Sequence, residues 1–496
     1  MKFNWDLFLL DPLFIIFGIF LIWIMAKKEK NERTWILFYI STLLIWIANG
    51  FVIKTSTMQL GFIETNSSTW LTILGIFGAS TFFAMIFKPL ATKITSKIKS
   101  RRIWIWAAMA STIISLILIM IFNDSSQQIF ITIVCGILVG FSLSSQLLFL
   151  LIFNEQAYYR FFPLKTAVKI GALTSLGTFI GGWMLSLNLA FQNSNFWTEK
   201  ININITGSIC IFLSLVSLIL NLFVKENKYF IGEFELEVKN QFITYSKKTL
   251  IILLITVFSL GLIFSLTQAS FIDLYLAAVL KEMHFSKDQI YQIIRIYKEW
   301  YIVPQFLVGY LIYNFVYKKI GPKHIMIISI ILTSLLSLIL AFVHNPFVFV
   351  IANFFLGLCF TQCLYILYGM SMMWLYRVKS IPITGIVGTA ILAGPFIFET
   401  IILVLKNLNI GFFTKFKTIQ DVLNNLEHQT LLNDANSVIS ILFSIIFAFS
   451  MGYLFWVIFF GDAFLGEYKK YGEIVIKVKN VERNFILNKI KRKMEL

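Results

Sequence analysis

Thirteen stretches of about 20 mostly apolar residues run through this chain, and each is long enough to cross a bilayer as a helix. They fall at roughly 7–26, 35–62, 70–90, 103–122, 128–153, 166–190, 204–224, 249–280, 288–317, 323–343, 346–374, 381–405 and 436–460. The first is an extra helix; the others are α1 to α12. The chain is therefore expected to fold as an all-α integral membrane bundle. Charged residues are 14%, hydrophobic residues 58% and the mean hydropathy is +0.81. Ordinary soluble domains carry about 25% charge, so this composition excludes a soluble enzyme. The 52 phenylalanines reflect AT-rich coding more than an aromatic binding surface.

The net charge of +17 does not point to nucleic acid, because the basic residues fall in short links beside apolar spans. Lys27, Lys28, Lys30 and Arg33 precede α1. Lys93, Lys97, Lys99, Arg101 and Arg102 link α2 to α3, and Arg160 with Lys165 links α4 to α5. Lys318, Lys319 and Lys323 link α8 to α9, and Arg377 with Lys379 links α10 to α11. The alternate links are poor in charge. Basic links stay in the cytoplasm, which places the N-terminus outside and the tail inside. A cleaved signal peptide would need a small-x-small site after the first apolar stretch, and none follows. The expected organisation is an extra helix with its basic link (1–34), a six-helix half (35–224), a cytoplasmic link (225–248), a second half (249–460) and a basic tail (461–496). A short surface helix is expected around Thr418–Leu432.

Two patterns recur between the halves. Tyr159-Arg160, ten residues, Gly171, five residues, Gly177 returns 217 positions later as Tyr376-Arg377, Gly388 and Gly394. The stretch 97–103 returns at an offset of 222 as 319–325. Repeat-built membrane bundles place their sites between the halves. The glycines, six apart in α5 and α11, would let neighbouring helices approach closely.

The stretch from Lys88 to Arg102 resembles the signature loop of the major facilitator superfamily, a Gly-x-x-x-Asp-Arg-x-Gly-Arg-Arg pattern. Thr92 stands at the first Gly, Ser96 at the Asp, and Lys97, Arg101 and Arg102 at the basic positions. The second copy runs from Gly309 through Lys318, Lys319, Gly321 and Lys323 and keeps both glycines. The resemblance covers roughly 35–460 and implies a twelve-helix bundle in two halves, with α1 and α7 lining a central cavity. It implies gating roles for Lys97, Arg101, Arg102, Lys319, Gly321 and Lys323, and helix-end roles for Arg160 and Arg377. Neither copy has the Asp that helps latch the cytoplasmic gate in that family, so gating here is expected to use other contacts.

Ionisable residues inside spans cost several kcal/mol unless paired or hydrated, so each is a functional candidate. In α8, Tyr291, Arg295, Lys298 and Gln305 share one helical face, and Glu299 can pair with Arg295 four residues earlier. Pro304 is expected to bend α8. At about 1.5 Å per residue, Arg295 sits roughly 10 Å below the outer end. Lys54 in α1 and Asp273 in α7 lie at similar depth, 219 positions apart, and are expected to pair across the cavity. Lys54, Arg295, Lys298, Gln305 and Tyr291 are the expected substrate contacts; Asp273 and Glu299 are the expected coupling acids. Three cations against two acids favour an anionic or polar solute. Gln146, Gln268 and Gln362 add polarity, and Glu155 reads as a cytoplasmic gate or loop residue. Cys359 and Cys363 share a helix face, but no histidine joins them, so they read as packing residues and not as a metal pair.

No Gly-x-x-x-x-Gly-Lys loop is present and no cofactor is expected. The expected function is secondary transport of a small polar, anionic solute across the cell membrane by alternating access. The expected partners are that solute, a coupling proton or ion, and membrane lipids, with no nucleic acid, the protein acting as a monomer. An exporter of amphipathic compounds or lipid, and a membrane scaffold subunit that no longer transports, are the competing readings. The topology is checked by single cysteines at Asn4 and Gln241. An impermeant thiol reagent added to intact cells should label the first and spare the second; labelling of both refutes the thirteen-span model.

Overall fold

The computed structural model describes residues 5–28, 33–66, 80–122, 128–156, 163–191, 199–227, 246–375, 381–408, 418–424 and 428–469, with isolated positions in 476–491. Every regular element among them is helical. A π-helical turn, Asp6–Leu10, leads into the extra helix Asp11–Lys28. The first half comprises α1 (Arg33–Asn66), α2 (described from Ser80 to Ile98), α3 (Arg102–Phe122), α4 (Gln128–Gln156), α5 (Pro163–Phe191) and α6 (Glu199–Leu222). The second half repeats the pattern with α9 (Pro322–Phe342), α10 (Pro346–Trp374), α11 (Ile383–Asn407) and α12 (His428–Phe460) after two broken helices. The expected surface helix is confined to Ile419–Asn424, and α12 begins earlier than expected, at His428.

Eleven of the described helices are long and apolar enough to cross a membrane. The spans expected at α2 and α8 are not among them. α2 is described only from Ser80, and α8 is interrupted. Its first segment, Lys287–Trp300, ends four residues before Pro304. There the pyrrolidine ring would clash with the Trp300 carbonyl. Shorter segments, Val303–Leu307, Gly309–Ile312, a π turn at Tyr313–Tyr317 and Lys318–Ile320, carry the chain inward.

The continuous α7 expected over 249–280 also breaks. It consists of Lys247–Thr267 and Ser270–Glu282, with Ala269 extended between them (ψ 137°). No Pro or Gly marks the break. A side chain takes up a freed backbone group instead: Tyr297 OH donates to the Thr267 carbonyl (2.8 Å). The Gln268 side chain at the break donates from Nε2 to Asn353 Oδ1 (2.6 Å).

The repeated glycines act in equivalent ways. A side chain at Gly177 would run into Trp46 on α1, and one at Gly394 into Leu262 on α7, so each binds its own half together. Gly171 instead faces the Tyr365 ring on α10, and Gly388 faces Leu147 on α4, both across the boundary between halves. The halves meet along α5–α8 and α2–α11. Ser175 Oγ donates to Gln305 Oε1 (2.9 Å) in the first seam. Thr389 Oγ1 donates to the Met85 carbonyl (2.7 Å) in the second.

The extra helix lies across the α5–α8 seam. Trp183 Nε1 of α5 donates to the Leu7 carbonyl (2.9 Å), and Phe14 packs edge-on against Trp300 of α8 with centroids 5.6 Å apart. Gly18 faces Leu176 of α5 and Phe306 of α8 at once.

The two signature loops both take a positive φ at the equivalent position. Gly321 has φ 85° and ψ 159°, a region open only to glycine, and its repeat mate Lys99 has φ 57°. The first copy has lost the glycine and kept a positive φ. Lys99→Gly should therefore stabilise the protein by about 1 kcal/mol, and Gly321→Lys should cost about 1–3 kcal/mol. Thermal unfolding in detergent checks both signs.

Candidate functional site

The expected α8 face lies within an ion network, and its centre is Arg295. The guanidinium bonds Glu299 Oε2 on its own helix (2.6 Å), as the four-residue spacing allows. It also meets Asp6 and, at 3.1 Å, Asp11 Oδ2, both from the extra helix. Gln292 Nε2 donates to Asp6 Oδ1 (2.5 Å). Glu299 in turn is reached from the first half: Lys54 Nζ lies 3.4 Å from Oε1, and Ser186 Oγ donates to the same atom at 2.9 Å. Gly182 on α5 leaves room for the Lys54 stem beside Glu299. Glu299, Asp6 and Asp11 are buried, at 3%, 3% and 0% exposure.

The second pair is Lys298 with Asp273, 2.5 Å apart. Asp273 sits in the first turn of the second α7 segment, where the helix dipole favours a carboxylate. The expected Lys54–Asp273 pair is replaced by two others, Lys54–Glu299 and Lys298–Asp273. Each helical residue turns the side chain by about 100°, and the α7 break five residues before Asp273 resets the phase on which the repeat offset depended. Gln305 faces Ser175, and Tyr291 stays exposed near the outer end of α8.

Asp6, Asp11, Ser186 and Gln292 were not selected from the sequence. Asp11 stands inside the 7–26 apolar stretch, so the rule that selected Asp273 also selects it. With the extra helix in place, three cations (Lys54, Arg295, Lys298) face four carboxylates (Asp6, Asp11, Asp273, Glu299). The surplus of cations expected at this site is not there.

At the loop between α2 and α3, Arg101 is buried and forked onto Glu155 of α4, with Nη2–Oε1 2.8 Å and Nε–Oε2 3.3 Å. Its Nη1 donates to Thr95 Oγ1 and Ser96 Oγ, both at 2.8 Å. Glu155 supplies the carboxylate that Ser96, at the signature's Asp position, does not. Glu226, after α6, accepts from Ser100 Oγ and from the Arg101 amide (both 2.7 Å). Arg102 reaches the Leu222 carbonyl at the α6 end (2.9 Å). In the second half Lys323 reaches Asp462 (2.8 Å) and the Ile458 carbonyl at the α12 end. These contacts tie each signature loop to the sixth helix of its own half, not across the halves. Lys97 and Lys319 are exposed, and Arg160 and Arg377 lie outside the described residues. Cys359 and Cys363 are buried free thiols, and no group of metal-ligating residues occurs among the described residues.

No family model matches the chain, and no curated protein matches it in sequence. Among solved structures it is similar to the Escherichia coli fucose:proton symporter FucP, with a TM-score of 0.54 and 12% identity over 85% of this chain and 99% of that one. The fold is a major-facilitator-like bundle. It has two six-helix halves and, before them, an extra helix that docks on the seam.

Removing Arg295 leaves three carboxylates without their shared cation. Arg295→Met should cost about 3–5 kcal/mol, and Asp11→Asn in that background should recover part of it. A double-mutant cycle of Lys54→Met with Glu299→Gln should show coupling of about 0.5–3 kcal/mol, whereas Lys54→Met with Asp273→Leu should add to within about 0.5 kcal/mol. Unfolding midpoints in detergent give both cycles.

Proposed function

We propose that this protein is a secondary transporter that moves a small polar solute across the cell membrane by alternating access, with the N-terminus outside and the tail in the cytoplasm. The observation that carries this reading is Glu299. Its carboxylate is buried on one half of the bundle and held by Lys54 and Ser186 of the other. A charge held across the boundary between two rocking bodies is a contact that opening must break. A proton, an ion or a polar solute group can then replace the lost partner. Broken helices at such a boundary are common at transport sites, and both α7 and α8 are broken beside this one.

The FucP structure is named as a proton symporter, which by analogy supports coupling to a proton. Glu299 and Asp273 are the coupling acids in this reading, and Lys54, Arg295, Lys298 and Gln305 are the groups that a solute displaces or joins. Charges buried beside the seam fit a polar cargo better than an amphipathic one.

The test is flux into vesicles holding the purified protein, across a panel of sugars, amino acids, carboxylates and phosphorylated metabolites, with and without an imposed proton gradient. At least one solute should accumulate only with the gradient. Glu299→Gln should lower that accumulation at least ~tenfold, equal to about 1.4 kcal/mol in the transport step, while exchange of unlabelled for labelled solute persists. Gradient-driven uptake that is unchanged in Glu299→Gln would remove the coupling role.

A further inference from the structure

Lys88 lies in α2, ten residues before Ile98, about 15 Å from the cytoplasmic end of that helix. It is 3% exposed. The side chain packs into the α2–α11 seam: a Cβ at Gly388 of α11 would come within 3.0 Å of Lys88 Cδ, and one at Gly385 within 2.7 Å of the Lys88 carbonyl. Leu147 of α4 borders the same pocket. Among the described residues no carboxylate, hydroxyl or carbonyl partners the Lys88 ammonium.

The equivalent place in the other seam shows what a packing residue looks like. There Gly171 is met by the Tyr365 ring, whose hydroxyl donates to the Gln305 carbonyl (3.0 Å). Tyr365 fills the gap and satisfies its own polar atom. At Gly388 the matching place is taken by Leu147, and Lys88 lies beside it with no acceptor, at a cost that Leu or Met would avoid. Such a residue is explained by a partner that arrives in another conformation. A buried cation suits an oxyanion, a carboxylate or phosphate oxygen.

We propose that Lys88, in the α2–α11 seam beside Gly388, forms a subsite for the anionic group of the solute, and that it becomes accessible when this seam parts on the cytoplasmic side. The proposal rests on the transport reading for the parting of the seam. It returns the anionic solute to the account through residues other than the outer network.

The probes are inorganic phosphate and acetate, exchanged for chloride at constant ionic strength, with the delipidated full chain in neutral detergent. The unfolding temperature should rise saturably with at least one of them, because ligand binding stabilises the folded state by mass action. Lys88→Gln should weaken that response at least ~tenfold, and exposed Lys93→Gln should leave it unchanged. Cysteines at Met85 and Thr389, whose hydrogen bond spans the seam, should abolish the response when oxidised and restore it when reduced. No saturable shift with either anion, an equal shift in Lys88→Gln, or a shift that survives the disulfide overturns the proposal. So does a shift produced by anionic lipid and by neither free anion. If Lys88→Gln does not fold, the disulfide pair decides alone. Intact anion binding with no flux in vesicles would refute the transport reading and leave the subsite standing.

Discussion

Arg295 draws together acids that lie far apart in the chain. Its guanidinium is shared by Asp6, Asp11 and Glu299, and Asp11 is 284 residues away. In a bilayer such a cation has no water to fall back on, and its neighbours lose as much as it does when the group comes apart. The position of the extra helix follows. Its carboxylates reach α8, while Leu7, Phe14 and Gly18 settle it on α5 and α8 together. It docks by one face, and Leu13, Ile16, Phe20 and Trp23 on the rest of the helix stay exposed.

From that network outward, glycines and buried polar pairs hold the bundle together. Within each half, helices approach closely at glycines such as Gly177 and Gly394, hydroxyls and amides pair as Thr112, Asn49 and Ser142 do, and basic loop residues tie back to the sixth helix. Between halves, polar groups are frequent: Ser175 with Gln305, Thr389 with Met85, Lys54 and Ser186 with Glu299. Polar contacts at an interface can be exchanged for water or solute as it opens, whereas interdigitated apolar packing is lost outright.

How much of this was legible depended on the kind of signal. Helix number, the two-half organisation and the charged α8 face could be read because an ionisable residue in an apolar span stands out by composition alone. The glycine pairs could be read because their offset repeats. The partner of Lys54 could not, since facing depends on helix rotation and α7 breaks at Gln268–Ala269 without a proline or glycine to mark it. Asp6 and Asp11 were passed over because acids near the start of an apolar stretch look like its flank. Lys88 falls inside the expected 70–90 span but at the start of the signature stretch, and its burial against Gly388 belongs to the packing of α2 on α11.

The central claim is that the halves separate along these seams and that Glu299 biases the separation. The direct measurement is the distance between spin labels at Lys97 and Lys319, exposed positions at the ends of α2 and α8 that carry the signature loops, in a chain with its four native cysteines replaced and held in lipid vesicles. Two distance populations are predicted, with a ratio that changes in Glu299→Gln. A single distance that is the same in both proteins would contradict the account.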